Sequence, residues 1–422
     1  MNDRNGKTGP LLNTVRLGYI IGTYPGLTTT FIDREIRILR QLGLQIQPVS
    51  IRRPSAGAPL SEEQRQFQQE TIYLLPVNWL SFVLSHLFFL ASRPLTYLRT
   101  LLHLLTRPHP SRGDWVKTVL HFAEAVYAAY LLRRQPLDRL HAHFIDRAAI
   151  VALIVGRLLD LPYSVTAHAN DIYAKKVLLN EKLAEADFVV TVSEFNKSYL
   201  LDTYANLNPA AIHVLHPWVD VSHFRPPARR SAGDRLRILS VGRLVEKKGH
   251  QYLIEACHLL QEKGLDFECR IIGDGPLMDR FRADIERYRL AERVHLLGGQ
   301  PQTEVLAGLA WCDVFALPCV IARDGDRDGM PVALAEAMAM AVPVVSSRIL
   351  GIDELVRPES GLLVPANDAA ALAEALQTIA TMDQADKIKM GDCGRQIIET
   401  DFNLLEGTRQ LKGLFQRAPV RE

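Results

Sequence analysis

The sequence lacks an apolar run long enough to cross a membrane. The longest candidate, residues 79–91, stops just before Arg93 and Pro94 and falls short of the roughly eighteen residues that a transmembrane helix requires. The N-terminal segment carries charges but no apolar core of the kind found in a secretory signal. No internal repeat of solenoid period is visible either. We therefore expect a globular, cytoplasmic protein without a spanning helix.

An excess of charge and a cysteine framework are also missing. Lys and Arg number 49 against 47 Asp and Glu, so the charge of the whole chain gives no reason to expect a nucleic-acid partner. The cysteines are Cys257, Cys269, Cys312, Cys319 and Cys393. Their odd number argues against a disulfide framework, and their spacing matches no metal motif. We expect reduced, mostly buried thiols and no metal site.

Strand-like segments alternate with helix-like segments along most of the chain. The strand patterns cover residues 15–21, 140–144, 163–167, 188–192, 236–241, 270–272, 294–298, 313–318 and 343–346. Most are followed by a loop and a helical pattern, which is the order of parallel βα units. Because 422 residues suffice for two domains, the predicted fold class is α/β with two domains.

Residues 74–134 interrupt this alternation. Apolar clusters there are interleaved with Arg93, Arg99, Arg107, Arg112, Lys117, Arg133 and Arg134. Only Asp114 and Glu124 oppose them. Such helices either lie in a membrane interface, with the apolar side in the lipid, or form the core of a large domain. The sequence leaves both interpretations open.

Two loops in the first half follow predicted strands. The first contains Tyr24, Gly26 and Thr28, is either a tight turn or a loop close to a ligand, and leads into a helix with Thr30 and Asp33 as its capping pair. The second contains His168 and Asp171. Ligands of open α/β sheets bind at the carboxyl ends of strands. This polar pair is therefore a candidate site, although a single histidine is more often structural.

Two glycine-containing loops follow strands in the second half. The first contains Gly242, Arg243 and Lys248, where glycine permits close backbone approach and the two cations supply charge for a diphosphate. Two cations in a loop are usually solvated, but the strand before and the helix after favour a ligand site. The second loop contains Gly273 and Gly275 and is either a plain turn or a ligand contact.

Residues 323–347 run from an acidic, glycine-rich loop through a helix to a strand. Pro331 suits the first turn of that helix, whose unpaired N–H groups favour anions. Asp328 and Glu336 flank the turn, and a carboxylate accepts the two hydrogen bonds that vicinal hydroxyls of a sugar or ribose offer. Two acids in isolation would be interpreted as solvated side chains.

Together these motifs resemble those of the GT-B glycosyltransferases, in the retaining family 4 or glycosyl transferases group 1, and within it the exopolysaccharide and colanic-acid branch. The donor signature of that family is a Glu, seven residues and a second Glu around G-x-P. Glu336 matches the second Glu, and Asp328 stands in place of the first. Residues 242–249 resemble its G-R-x-x-x-x-K-G loop, and residues 168–171 resemble its H-x-x-D element.

The resemblance implies a GT-B fold, in which two Rossmann-like domains with parallel sheets face each other across a cleft. It implies an acceptor-side domain at residues 1–225, which includes the helical segment 74–134. A nucleotide-sugar-binding domain would follow at residues 226–395, after a linker near residues 218–227. A C-terminal helix within residues 396–422 would cross back to the first domain.

The implied function is retaining transfer of a sugar from a UDP- or GDP-sugar to a glycan or lipid-linked acceptor, without a cofactor or metal. Arg243 and Lys248 would neutralise the leaving diphosphate, and His168 would lie beside the reacting sugar. Asp328 would bind the donor sugar and Glu336 the ribose. The other donor-binding candidates are Gly242, Gly273, Gly275, Gly329, Met330 and Pro331, and the acceptor-side candidates are Tyr24, Gly26, Thr28 and Asp171.

Three other interpretations stay open. The run of Asp324, Asp326 and Asp328 would suit a cation, but it lacks the remaining ligand spacing of a calcium loop. A nucleotide-sugar epimerase would use the same nucleotide site without an acceptor. A catalytically silent partner in polysaccharide assembly would keep the fold and lose donor binding, with residues 74–134 as its contact surface.

Overall fold

The computed structural model describes residues 15–26, 29–57, 60–168, 170–173, 176–216, 219–227 and 235–417. The chain divides into two compact units. The first contains Met1–Thr166, Glu181–Val189 and Thr408–Glu422, and the second contains Ala167–Asn180 and Val190–Gly407. The domain boundaries inferred from the family resemblance stay predictions, and Trp218 of the expected linker lies outside the described residues.

Seven strands form one sheet in the order β3, β2, β1, β4, β5, β6, β7. Their bounds are β1 (Arg16–Thr23), β2 (Gln45–Arg52), β3 (Ile72–Tyr73), β4 (Arg139–His143), β5 (Tyr163–Ala167), β6 (Val189–Thr191) and β7 (Ile212–Val214). Strand β1 pairs in parallel with β2 and β4, as do β2 with β3 and β4 with β5. The predicted parallel α/β class is confirmed for this sheet.

Six strands form a second sheet in the order β10, β9, β8, β11, β12, β13, and all its pairs are parallel. They are β8 (Leu236–Val241), β9 (Phe267–Ile272), β10 (Val294–Leu296), β11 (Val314–Leu317), β12 (Val344–Ser347) and β13 (Gly361–Val364). In β11, Val314 and Ala316 pack in one apolar core while Phe315 and Leu317 pack in another. Because both faces are covered, the strand reads as a continuous apolar run.

Helices lie in the connections between these strands, and three more follow β13. They are α1 (Thr30–Gln41), α2 (Glu62–Glu70), α3 (Trp79–Ser92), α4 (Pro94–Leu105), α5 (Arg112–Leu132), α6 (Arg147–Leu159), α7 (Asn170–Tyr173), α8 (Leu179–Ala184), α9 (Glu194–Thr203), α10 (His250–Glu262), α11 (Met278–Arg287), α12 (Gln302–Trp311), α13 (Val332–Ala339), α14 (Ile352–Leu355), α15 (Ala369–Thr381), α16 (Gln384–Asp401) and α17 (Leu404–Gln416). Ser193 caps α9 by accepting a 3.1 Å hydrogen bond from the Asn196 N–H, as its position before the helix predicts.

The start of α1 differs from the sequence prediction. Thr30 and Asp33 suggest a capping pair, but the residue before the helix is Thr29, which makes no side-chain capping bond. Asp33 is buried instead and accepts a 2.8 Å hydrogen bond from Gln64 Nε2. Burial raises the pKa of the Asp33 carboxyl. The capping prediction is wrong because Asp33 bonds to α2 rather than to its own helix.

The sequence left open whether the helices of residues 74–134 are core helices or interface helices. The structure shows that they differ from one another. Helix α5 buries one side, including Phe122, Val126 and Ala129, and packs against α6. Helix α3 buries only Ser85 and Phe89 among its described residues. No helix in the described part of the chain is long and apolar enough to cross a membrane. Helix α5 is therefore a core helix, whereas α3 presents apolar side chains to solvent.

The last helix, α17, packs on the first sheet through Phe415. The ring of Phe415 lies 5.1 Å from that of His141 and 5.6 Å from that of Phe188, centroid to centroid. Lys412 Nζ donates a 2.8 Å hydrogen bond to the carbonyl of Leu42. The end of the chain is thus held to the first unit by both apolar and polar contacts.

Candidate active site

The loop over residues 242–249 joins β8 to α10. Residues Glu246–Lys248 form a single 3-10 turn, and Gly249 follows with φ of +68°. A Cβ at Gly249 would lie 1.7 Å from the carbonyl oxygen of Pro318. Glycine therefore brings this loop against the end of β11, immediately upstream of the acidic loop.

A cluster of ion pairs connects this turn to the acidic loop. Lys248 Nζ pairs with Asp328, and Lys247 Nζ lies 3.2 Å from Asp328 and 3.2 Å from Asp326. Glu246 accepts a 3.3 Å hydrogen bond from the backbone N–H of Arg323. The sequence predicted that Lys248 and Asp328 serve one ligand, and the fold places them in direct contact.

The cluster is mostly shielded from solvent and both partners remain charged. The side chains of Lys248 and Asp328 are only 16% and 15% exposed. Burial is the largest single influence on the pKa of Lys248 and works to lower it, but the charge and hydrogen bond of Asp328, together with Cys319, raise that pKa overall. Burial likewise works to raise the pKa of Asp328, and the charges of Lys248 and Lys247 lower it. The nearby Cys319 thiol has its pKa raised to about 12 by burial and by Asp328.

An ammonium bound to one carboxylate keeps further hydrogen-bonding capacity. Lysine carries three N–H donors, so Lys248 can hold Asp328 with one and phosphate oxygens with the others. Arg243, at the start of the same loop, is exposed. The arrangement can therefore present an ammonium and a guanidinium to a diphosphate without breaking the contact with Asp328.

The G-x-P segment leads into α13 as predicted. Gly329, Met330 and Pro331 are buried, and Pro331 is the residue that precedes the first helical residue, Val332. Met330 packs in the same apolar core as residues of this helix, which helps to hold the loop. Glu336 lies further along α13 and is half-buried.

The second glycine loop packs against the first by its backbone. Gly273 has φ of +152°, and a Cβ there would lie 1.9 Å from the carbonyl oxygen of Gly242. A Cβ on Gly275 would lie 2.6 Å from the carbonyl oxygen of Leu244. These two contacts account for both glycines without a ligand. They favour the turn interpretation, with the second loop supporting residues 242–249.

The H-x-x-D element lies in the same unit as these loops. The His168 N–H donates to both carboxylate oxygens of Asp171, at 2.9 and 3.2 Å, and Asp171 is buried. Two residues beyond Asp171, at the end of α7, the ring of Tyr173 lies 4.5 Å from the guanidinium carbon of Arg327. Helix α7 thus meets the acidic loop through Tyr173, while Asp171 organises the turn that carries His168.

The loop predicted on the acceptor side belongs to the first unit. Tyr24 is fully buried, and burial raises the pKa of its hydroxyl. The Gly26 carbonyl accepts hydrogen bonds from the Thr29 N–H at 3.0 Å and from Gln64 at 3.1 Å. Thr28 lies outside the described residues. The contacts of Tyr24 and Gly26 are those of a packed turn.

Two family models match the chain over adjacent regions. Residues 224–396, which contain the lysine and acidic loops, match the model described as Glycosyl transferases group 1. Residues 85–223 match the Glycosyltransferase Family 4 model. Residues 85–396 are thus similar in sequence to glycosyltransferases. The family resemblance recognised in the sequence motifs is thereby confirmed.

Two of the named relatives carry the names of bacterial polysaccharides. The chain is 45% identical over 199 residues to WcaL of Escherichia coli, named for colanic acid biosynthesis, covering 47% of this chain and 49% of WcaL. It is 41% identical over 207 residues to the amylovoran biosynthesis glycosyltransferase AmsK of Erwinia amylovora, covering 49% and 51%. The chain thus spans about half the length of the curated relatives it matches.

A solved structure of similar fold covers almost the whole chain. HepE of Anabaena, in complex with UDP and glucose, superposes with a TM-score of 0.69 at 16% identity. The match covers 96% of this chain and all of HepE, at 100%. At that identity the likeness establishes the fold alone, and the predicted GT-B architecture is confirmed.

Three residues near the glycosyltransferase motifs escaped the sequence analysis. They are Lys247, Arg327 and Tyr173. Lys247 pairs with two acids 79 and 81 residues away in the chain, and no local pattern separates it from Lys248. Asp326 and Asp328 looked like part of a cation loop, yet both pair with lysines. The only signal for Lys247 in the sequence was a pair of adjacent lysines whose charge could balance that of the acidic run.

A second group of potential metal ligands lies in the first unit. Glu35, His141 and His143 are buried with their donor atoms within 4.8 Å of one another. The nitrogens of His141 lie 2.9 Å from Ser164 Oγ and 3.0 Å from Thr166 Oγ1. These contacts describe a buried hydrogen-bond network, which sequence reasoning also missed.

Proposed function

We propose that the chain transfers a sugar, with retention, from a nucleotide diphosphate sugar to a glycan or lipid-linked acceptor in exopolysaccharide biosynthesis. The observation that carries this proposal is the contact of Lys248 with Asp328. It joins the G-R-x-x-x-x-K-G loop to the G-x-P helix in one shielded, charged cluster. Such a cluster suits a ligand that carries both a diphosphate and sugar hydroxyls.

Departure of the nucleoside diphosphate is the step that needs the protein. Negative charge accumulates on the β-phosphate as the bond to the anomeric carbon breaks, and preorganised cations and N–H groups stabilise such charge. Lys248 and Arg243 supply the cations, and the N–H groups at the start of α13 point to the same charge. Asp328 holds Lys248 in place and accepts from the donor sugar, while Glu336 accepts from the ribose. His168 lies beside the reacting sugar.

The relatives guide the choice of substrates. The HepE complex contains UDP and glucose, which supports a UDP-sugar donor, and the two donor bases to compare first are those of UDP and GDP. The names of WcaL and AmsK refer to colanic acid and amylovoran. Both are polysaccharides, which supports a glycan acceptor.

Glu336→Ala is expected to abolish selective donor binding, because the mutant loses the carboxylate proposed to hold the ribose. The measurement is binding and hydrolysis of a panel of UDP-, GDP- and ADP-sugars by wild type and variant. Glu374→Ala, on the exposed side of α15, is the matched control and should behave like wild type.

Each outcome of this panel has a distinct meaning. A wild-type protein that binds no donor would favour the silent assembly partner. Conversion of a donor into its isomer, without transfer or hydrolysis, would favour an epimerase. Binding that Glu336→Ala leaves unchanged would contradict the role of Glu336.

Asp328→Glu is expected to retain or raise the transfer rate. The longer acid restores the residue of the family signature and still reaches Lys248, because lysine is flexible. Asp328→Asn is the paired variant, and it should lower turnover because Lys248 and Lys247 lose their shared carboxylate. Steady-state turnover with the donor identified by the panel is the measurement. Complete loss of activity in Asp328→Glu would show that the shorter acid has a geometry of its own.

A further inference from the structure

Three helices of the first unit pack on one another and each presents apolar side chains to solvent. We call these six residues the apolar face: Trp79, Leu80 and Leu87 on α3, Leu95 and Leu102 on α4, and Leu120 on α5. Trp79 is 73% exposed, Leu80 72% and Leu120 62%. Leu80 and Leu87 are seven residues apart on α3 and so lie on one side of that helix. Leu95 and Leu102 have the same spacing on α4. Exposed apolar surface on this scale marks an interaction site.

Basic side chains accompany the apolar face. Residues 79–120 contain the five basic residues Arg93, Arg99, Arg107, Arg112 and Lys117, and the single acidic residue Asp114. Asp114 is paired with Lys117 at 3.2 Å. Arg93, Arg99 and Arg112 are exposed, and no carboxylate of the described residues forms an ion pair with them. Arg107 lies 3.7 Å from Glu181, so the positive charge beside the apolar face comes from the exposed Arg93, Arg99 and Arg112.

We propose that the apolar face docks on the surface of an anionic lipid bilayer. Helix α3 has 14 residues, which is too short to span a bilayer and suits a helix lying in its interface. The arginines can reach phosphate headgroups while the leucines enter the acyl boundary. This inference goes beyond sugar transfer and does not depend on it.

One further observation and one electrostatic argument favour a lipid surface over a second copy of the chain. Trp115 Nε1 donates a 3.3 Å hydrogen bond to the carbonyl of Leu105, and its ring stays exposed. A tryptophan with a satisfied N–H and an exposed ring suits the membrane interface. In a two-fold dimer, by contrast, each patch would meet its own copy, and the arginines of both would be brought together at a cost.

Flotation of the purified full chain with lipid vesicles tests the proposal. Vesicles of phosphatidylcholine with phosphatidylglycerol should bind the protein, and vesicles of phosphatidylcholine alone should bind at least about tenfold less. The triple variant Leu80→Gln, Leu87→Gln, Leu102→Gln should lose at least about tenfold of the binding to anionic vesicles. Because these side chains are exposed, the variant should keep the thermal midpoint of wild type.

The matched control is the double variant Ile388→Gln, Leu405→Gln, which removes exposed apolar side chains from the second unit. It should bind anionic vesicles like wild type. Failure of wild type to float, or equal binding by the triple variant and wild type, would overturn the proposal. Sedimentation equilibrium without lipid provides the remaining check. A dimer that the triple variant abolishes would show that a second copy covers this face, which would also overturn it.

Discussion

Lys248→Ala is expected to lower the rate of sugar transfer by about 10²- to 10³-fold, the loss typical when one preorganised donor to a developing anion is removed. Lys248 is the cation proposed to meet the leaving diphosphate, and it is shielded and paired with Asp328. The variant should also bind UDP or GDP more weakly, because the diphosphate loses its ammonium partner. Steady-state turnover and calorimetric titration with the nucleoside diphosphate measure the two effects.

A control variant and a charge-conserving variant accompany Lys248→Ala. Lys263→Ala removes an exposed lysine just after α10 that bonds to Gln377, and it should leave turnover unchanged. Lys248→Arg retains the charge and should recover part of the lost rate, although its planar group cannot reproduce the geometry of an ammonium. Wild-type turnover in a folded Lys248→Ala protein would contradict the proposed diphosphate site.

Most strands were predictable because their signal is local, although β2 and β3 are not among the predicted strands. In strand β11, Val314 and Ala316 pack in one core and Phe315 and Leu317 in the other. Four consecutive apolar residues therefore indicate burial on both faces of the sheet. The cap of α1 was not predictable in the same way. Asp33 bonds to Gln64, 31 residues away, and a capping rule considers only the nearest turn.

Helices α3 to α5 show the same limit of local sequence patterns, here for surface residues. The sequence reveals helices with apolar and basic side chains, but the partner of each face depends on tertiary packing. Helix α6 covers α5, whereas Leu80 and Leu87 of α3 remain exposed. The core and interface interpretations were both open because each applies to a different helix of the segment.

Motif spacing singled out Lys248, Asp328 and Glu336 as candidates, and the fold added the contact between Lys248 and Asp328. Asp326 and Asp328 pair with Lys247 and Lys248 across about 80 residues of chain. Spacing alone could not distinguish those pairs from a cation loop. Gly273 and Gly275 illustrate the opposite case, since their backbone contacts explain a pattern that also suits ligand binding.

Gly249→Ala is expected to destabilise the second unit by at least about 3 kcal/mol, in the range that marks a specific structural conflict. Two costs combine at this position. The φ of +68° is unfavourable for any residue with a Cβ, and the new Cβ would lie 1.7 Å from the Pro318 carbonyl oxygen. Relief requires the lysine loop or the end of β11 to move, so donor binding should fall as well. Urea unfolding followed by circular dichroism measures the effect.

Gly264→Ala separates these two costs, because Gly249 and Gly264 flank the same helix, α10. Gly264 has a similar φ of +74°, but nothing lies within 4 Å of a Cβ built there. Its substitution should therefore cost only the conformational term, about 1–2 kcal/mol, and leave donor binding intact. The excess loss in Gly249→Ala then measures how firmly the lysine loop is held against β11. Equal losses in the two variants would show that the loop yields easily, and that the close approach of Gly249 to Pro318 does not fix Lys248 in place.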